Sequence, residues 1–195
     1  MKKSILALAA MAITGTAVAG PNWTYVDAGY VRGSSGNEDT DGFSLQGSVG
    51  FAEIWHAQLD YSDGEANGGK SSGGTDNDGY TFTVGVNPAV SDTTDLVFDL
   101  SYFDIDNDTA SSSSSVDGYG LGVGLRTMWT DQLEVNGGAE VVSGDAGGSN
   151  SDFTNVIVSV GGVYSFTDNV AVSMDVANGG IVGGNAARFG VRWNF

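Results

Sequence analysis

The chain has one histidine, His56, and no cysteine. A histidine beside an acid and a hydroxyl could activate a nucleophile. Asp60 supplies an acid close by in sequence, but no Gly-x-Ser-x-Gly motif, Ser-His-Asp set or zinc-ligand spacing accompanies the pair. We therefore expect His56 to pair with Asp60 or a neighbour in a structural role, assign no catalytic residue, and expect no enzyme. The run Asp104-Ile105-Asp106-Asn107-Asp108 has the spacing that opens a calcium loop. It has Thr109 where such a loop needs glycine and Ser115 where it needs a bidentate glutamate. An EF-hand is thus not expected. The spacing allows only a loosely held Ca²⁺ or Mg²⁺ on Asp104, Asp106 and Asp108, against the alternative of a solvated acidic loop. No other cofactor is implied.

What positions these residues is a series of ten stretches that alternate apolar and polar side chains, near 24–32, 42–51, 55–61, 79–87, 95–103, 118–127, 133–142, 153–166, 170–177 and 186–195. A period of two marks a strand with one apolar face. In 42–51, Phe43, Leu45, Gly47, Val49 and Phe51 alternate with Ser44, Gln46, Ser48 and Gly50. In 153–166 the pattern is less clean, and Ile157 and Val163 fall on the polar face. The polar faces together collect Asp27, Asp60, Asp99, Glu134, Glu140 and Asp175, the cations Arg126, Arg188 and Arg192, and Gln46, Gln58 and His56. Unpaired charges of this number could not enter a dry sandwich core. They fit a polar lumen with an apolar outside. The expected fold is therefore all-β: an antiparallel up-and-down transmembrane β-barrel of ten strands, with eight as the alternative.

The connections alternate as well. Those near 52–54, 88–94, 128–132 and 167–169 are short; those near 33–41, 62–78, 104–117, 143–152 and 178–185 are longer and rich in Gly, Ser, Asn and Asp. Short periplasmic turns and long extracellular loops are the expected arrangement. Asp41-Gly42-Phe43, Asp78-Gly79-Tyr80 and Asp117-Gly118-Tyr119 recur, each opening a strand that returns from a long loop. We read the glycine as letting the loop turn in and the aromatic as marking headgroup level. Phe51, Trp55, Tyr164, Phe166, Trp193 and Phe195 mark the opposite rim.

Lys2 and Lys3, an apolar core from Ile5 to Ile13, and Ala17-Val18-Ala19 read as a secretory signal peptide over residues 1–19, leaving a barrel domain over 20–195. Its removal takes two lysines and no acids, moving the net charge from −17 to −19. Such a chain repels nucleic acid and anionic lipid surfaces, while divalent cations and basic partners remain open to it. With no cysteine, an exported domain needs stability from elsewhere, either a good core or closure of a sheet. A mean hydropathy of −0.05 is what a barrel with one apolar face per strand gives.

The final strand carries Arg188, Gly190, Trp193 and Phe195 in the places of the C-terminal assembly signal of outer membrane β-barrels. With the alternating strands and the hairpin repeat, the mature chain resembles the small Gram-negative outer membrane barrels of the OmpA/OmpX-like group. The acidic Asp-Gly-aromatic hairpins look closest to a subgroup described as a quorum-sensing, immunity-activating outer membrane protein. The resemblance implies a cell outer membrane location and assembly-machinery recognition through Phe195. It also implies contact with membrane lipid and lipopolysaccharide and a monomeric state. The expected function is a structural or surface-interaction barrel whose acidic loops serve envelope integrity or attachment. The alternative is a narrow, weakly cation-selective pore.

Overall fold

The computed structural model describes residues 20–35, 38–67, 69, 73–147, 151–179, 181 and 184–195. The expected leader, residues 1–19, lies outside the described residues. Strands follow one another as β1 (Tyr25–Ser35), β2 (Glu38–Phe51), β3 (Trp55–Ala66), β4 (Thr75–Val86), β5 (Ala89–Ser91), β6 (Thr94–Thr109), β7 (Ser113–Met128), β8 (Leu133–Ala146), β9 (Ser151–Ser165), β10 (Val170–Asn178) and β11 (Asn185–Asn194). β5 is a three-residue ribbon laid against the start of β6 inside a periplasmic turn. The other ten are the staves of a barrel, each antiparallel to its neighbours. The sheet closes into one ring: β4 pairs with β6 past the short β5, and the first stave β1 pairs with the last, β11. Closure leaves no strand edge unpaired, which is what the hydrocarbon core of a membrane demands.

Alternation decides which way each residue faces. Phe43, Leu59, Phe82, Leu100, Leu121, Val158, Met174 and Val191 are exposed on the outside, as lipid-facing residues of an isolated barrel must be. Trp55, Phe51, Tyr164, Phe166, Trp193 and Phe195 ring the periplasmic end. Tyr30, Phe43, Tyr61, Tyr80 and Tyr119 ring the other, with Tyr102 in tilted ring contact with both Tyr80 and Tyr119. Two aromatic belts bounding an apolar band fit the two interfaces of a bilayer.

The extracellular connections differ from expectation. Residues 104–117 were expected to form a loop, but β6 runs to Thr109 and β7 starts at Ser113. The turn between them is tight, with Thr109 N donating to Ser112 O at 2.8 Å. β3 and β4 likewise run on through Ala66 and Thr75, and β8 through Ala146. Asp104, Asp106 and Asp108 therefore lie on one face of a strand rather than in a loop. Backbone pairing continues above the membrane although the outward apolar stripe has ended.

The repeated glycines have a different reason from the expected turn. Gly42, Gly79 and Gly118 are mid-strand and have no positive φ. A Cβ on Gly42 would run into the carbonyl of Asp63, and one on Gly118 into that of Ser143. These glycines let neighbouring strands cross closely where the extensions leave the barrel wall.

An apolar knot fills part of the extracellular half of the lumen. Phe103, Val116 and Val142 are buried, and Ala146, Phe153, Ile157 and Ile181 pack on them. The Phe103 ring lies over Gly118. Val163 is buried nearer the periplasmic end, so Ile157 and Val163 do face inward.

Candidate functional site: a plugged, charge-paired lumen

The periplasmic mouth is crossed by the segment that precedes β1. Trp23 turns into the lumen and stacks on His56, ring centroids 4.2 Å apart. The Arg126 guanidinium lies 4.0 Å from the Trp23 ring, contributing a cation–π contact. Trp23 Nε1 donates to Asp95 Oδ2 at 2.7 Å. Arg126 holds Glu134 through two 2.8 Å bonds, from Nε and Nη2, and its Nη2 also donates to the Asn22 carbonyl at 3.0 Å. Because Trp23 leads into β1 while Arg126 sits on β7, the far side of a ten-stave ring, this contact spans the mouth.

His56 is 2% exposed and its partners are not the expected Asp60. Its Nε2 lies 3.1 Å from Asp99 Oδ1. The Asn87 amide, turned so that its nitrogen faces His56 Nδ1 at 3.2 Å, also reaches the Ile54 carbonyl, while its oxygen accepts from Trp23 Nε1. Nδ1 then accepts and Nε2–H donates to Asp99, which satisfies the buried Oδ1 that otherwise lacks a partner. The β4–β6 closure, with Gly85 opposite both His56 and Asp99, brings the two together. The described partners of His56 are thus an amide and a carboxylate, with no hydroxyl among them.

Higher in the lumen, Asp27 is fully buried. Arg188 Nη2 donates to its Oδ1 at 2.5 Å and Arg192 Nε to its Oδ2 at 3.1 Å. The closing pair β1–β11 sets Asp27 directly opposite Arg192. Arg188 also donates to Ser44 and Ser173 and lies 3.6 Å from Asp175. Arg192 covers the Tyr25 ring at 3.7 Å, and the Tyr25 hydroxyl donates to Gln58 Oε1 at 3.1 Å across β2. Asp60 accepts from Gln46 at 2.6 Å and Gln58 at 2.8 Å, and Glu140 accepts from Ser101 at 2.5 Å. Asp27, Asp99, Glu140 and Asp175 each lie across a glycine of an adjoining strand (Gly190, Gly85, Gly120 and Gly161), where a Cβ would overlap the carboxylate. Between these groups remains a cavity of about 380 Å³.

The outer face carries acids at another level. Above the aromatic belt, carboxylates oppose one another from strand to strand: Asp63 and Asp78, Asp104 and Asp117, Asp117 and Asp145, Asp145 and Asp152. Tyr30 donates to Asp41, Tyr61 to Asp63 at 3.4 Å, and Tyr80 to Asp104 at 3.2 Å, so the belt hydroxyls hold the lowest row. Asp104, Asp106 and Asp108 belong to this collar. Successive same-face positions on a strand lie about 7 Å apart, too far for three of them to share one ion. Among the described residues no group of three His, Cys, Asp or Glu side chains converges on a metal position. Asp145 is held above the ordinary carboxylate range, because it shares a hydrogen bond with Asp152 and then because of the Asp152 charge.

Trp23 was not anticipated. It lies just before the first alternating stretch, and its only signal was an indole next to a strand start. The apolar knot around Phe103 was also missed, since a lone inward aromatic breaks no period.

No protein-family model matches the sequence, and no curated protein does. Solved structures share the fold. An outer membrane channel from Pseudomonas putida F1 superimposes with a TM-score of 0.56 at 10% identity, covering 90% of this chain and 96% of that one. The NanC porin gives 0.53 at 11%, covering 87% and 100%. The translocator domain of the autotransporter NalP from Neisseria meningitidis gives 0.50 at 13%, covering 90% and 89%. The chain has the architecture of Gram-negative outer membrane β-barrels, and its apolar, doubly belted outside places it in that membrane.

Proposed function

We propose that the chain is a closed structural barrel of the outer membrane that works through its outer and extracellular surfaces rather than through its lumen. The observation that carries this reading is the Trp23 stopper. An indole held between His56 and Arg126, tied to Asp95 and backed by the buried Arg126–Glu134 pair, obstructs the periplasmic mouth. The apolar knot around Phe103 narrows the other half. The lumen residues act as cross-braces, and we read no enzymatic role in them. The acidic collar, standing just outside the headgroup level, is what the protein presents to its surroundings. Envelope integrity or attachment is the role such a collar suits, and the barrel needs no second copy to close.

A second reading, a narrow cation-selective pore, is favoured by one feature. The cavity of about 380 Å³ is lined by Asp60, Asp99, Glu140 and Asp175. Proteoliposome swelling separates the two. Reconstituted wild-type barrels should give no faster swelling in small sugars or potassium salts than empty liposomes. Swelling that rises with barrel number would favour the pore.

A further inference from the structure

Asn87 stands between the Trp23 stopper and the one histidine, and its amide has two settings there. In the setting that suits a neutral ring, its nitrogen donates to His56 Nδ1 at 3.2 Å and to the Ile54 carbonyl at 3.0 Å, and its oxygen accepts from Trp23 Nε1 at 3.0 Å. In the other setting, Asn87 Oδ1 faces His56 Nδ1 at the same 3.2 Å. That arrangement fits only a ring with a proton on Nδ1, because an amide oxygen accepts and does not donate. It turns the amide nitrogen toward the indole N–H, donor against donor, and leaves Trp23 Nε1 to Asp95 alone, at 2.7 Å. The Ile54 carbonyl keeps the backbone N–H of Asn87 at 2.7 Å, so it does not oppose the turn.

The groups around the ring decide what a proton there does. From β6, Asp99 meets Nε2 at 3.1 Å and holds the ring in place in either state. Asp95, on the same strand, meets the indole N–H. From β7, Arg126 lies on the other face of the indole, with Glu134 of β8 bonded to it and Tyr25 of β1 6.0 Å from its guanidinium. β4 lays only Gly85 under the ring, and β2 places Gly50 against the Cβ of Trp23. A protonated ring therefore sets a second cation against an indole whose opposite face already carries one. The backbone of the segment stays tied, since Ser48 Oγ donates to the Trp23 carbonyl at 2.8 Å and Arg126 to that of Asn22 at 3.0 Å. The part free to leave is the indole.

We propose that His56 and Asn87 form a proton-operated latch on Trp23: protonation of His56 turns the Asn87 amide, releases the indole and opens the periplasmic mouth to the cavity behind it. Histidine is the side chain whose charge ordinarily changes between about pH 5 and 8, so mild acid is the signal. The latch is a regulation of the closed lumen and rests on that reading.

The chain has no cysteine, so one introduced into the cavity is a unique reporter. Gly122 lines the cavity, and a Cβ there comes no nearer than 3.4 Å to a neighbour. The full barrel carrying Gly122→Cys is treated in detergent with a cationic methanethiosulfonate. Its rate of modification is divided by that of the same barrel with Trp23→Ala at the same pH, which removes the effect of pH on the thiol itself. The ratio should be about 0.1 or less near pH 7.5 and rise about tenfold, toward one, near pH 5, the change expected for loss of one ordinary hydrogen bond. His56→Gln still accepts from Asn87 and donates to Asp99 but takes no proton, and should keep the ratio low at both pH values. Asn87→Asp should do the same by another route, since its two oxygens accept from Nδ1–H and from the indole at once. Heat-modifiable gel mobility confirms that each barrel is formed. A ratio that stays low at both pH values without either substitution would overturn the latch and leave the closed lumen standing. A rise that survives His56→Gln or Asn87→Asp would also overturn the latch. A ratio near one already at pH 7.5 would instead overturn the closed lumen, and the latch with it.

Discussion

Asp27 and Asp117 are both strand aspartates, and their surroundings differ in what each must do with its charge. Asp27 is sealed in the lumen between Arg188 and Arg192, with Ser44 and Ser173 completing the arginine donors. Asp117 lies on the outer collar, opposite Asp104 on one neighbour and Asp145 on the other. Inside, Asp27 has no exposed surface, so its charge is met by the donors aimed at it, and a glycine on the adjoining strand gives it room. Outside, water and salt screen the repulsion, and like charges opposite each other cost little. The inner acids are thus explained by the barrel's own stability. The outer acids are not, which points to a role toward the surroundings.

Breaking the inner arrangement should have the largest effect. Asp27→Ala leaves two guanidiniums buried without their shared acid, and about 3–5 kcal/mol of stability should be lost. Urea unfolding in detergent micelles, followed by tryptophan fluorescence, measures it. Gly161→Ala tests the room beside Asp175; the added methyl should push the carboxylate aside and cost about 1–3 kcal/mol. The same unfolding assay applies. On the collar, Asp117→Asn should leave the unfolding midpoint unchanged at physiological salt and raise it slightly at low salt. A loss comparable with Asp27→Ala would erase the contrast.

The smallest effect is a pH dependence at the tip of β8 and β9. Asp145 has its pKa raised in the folded chain by the shared hydrogen bond with Asp152. A carboxyl whose folded pKa lies above its unfolded one stabilises below the unfolded value and ceases to do so as pH rises through the folded one. Amide exchange in residues 143–154, corrected for its intrinsic pH dependence, should therefore show more protection near about pH 4 than at neutrality. Asp152→Asn should flatten that difference.

The staves and their inward and outward faces were legible, because within the membrane one face meets lipid and the other meets polar groups. The extensions beyond it were not. Residues 104–109 and 113–117 read as loop because the outward face there carries Asp104, Asp106, Asp108, Ser113, Ser115 and Asp117 in place of apolar side chains. The His56–Asp99 pair was not legible either: it depends on the register between β4 and β6, which no single strand encodes. Trp23 was hidden for a different reason, since it lies outside any stave and acts by crossing the mouth. Asp104, Asp106 and Asp108 have the spacing of a loop motif, and only the strand they occupy shows that the spacing spreads them apart.

The most direct test of a lumen closed by its own N-terminal segment is single-channel recording of wild type beside Trp23→Ala in planar bilayers. Wild-type barrels should be silent, and Trp23→Ala should give small steps that favour cations, because the space then opened leads to Asp60, Asp99, Glu140 and Asp175. Steady wild-type conductance that Trp23→Ala leaves unchanged would contradict the account.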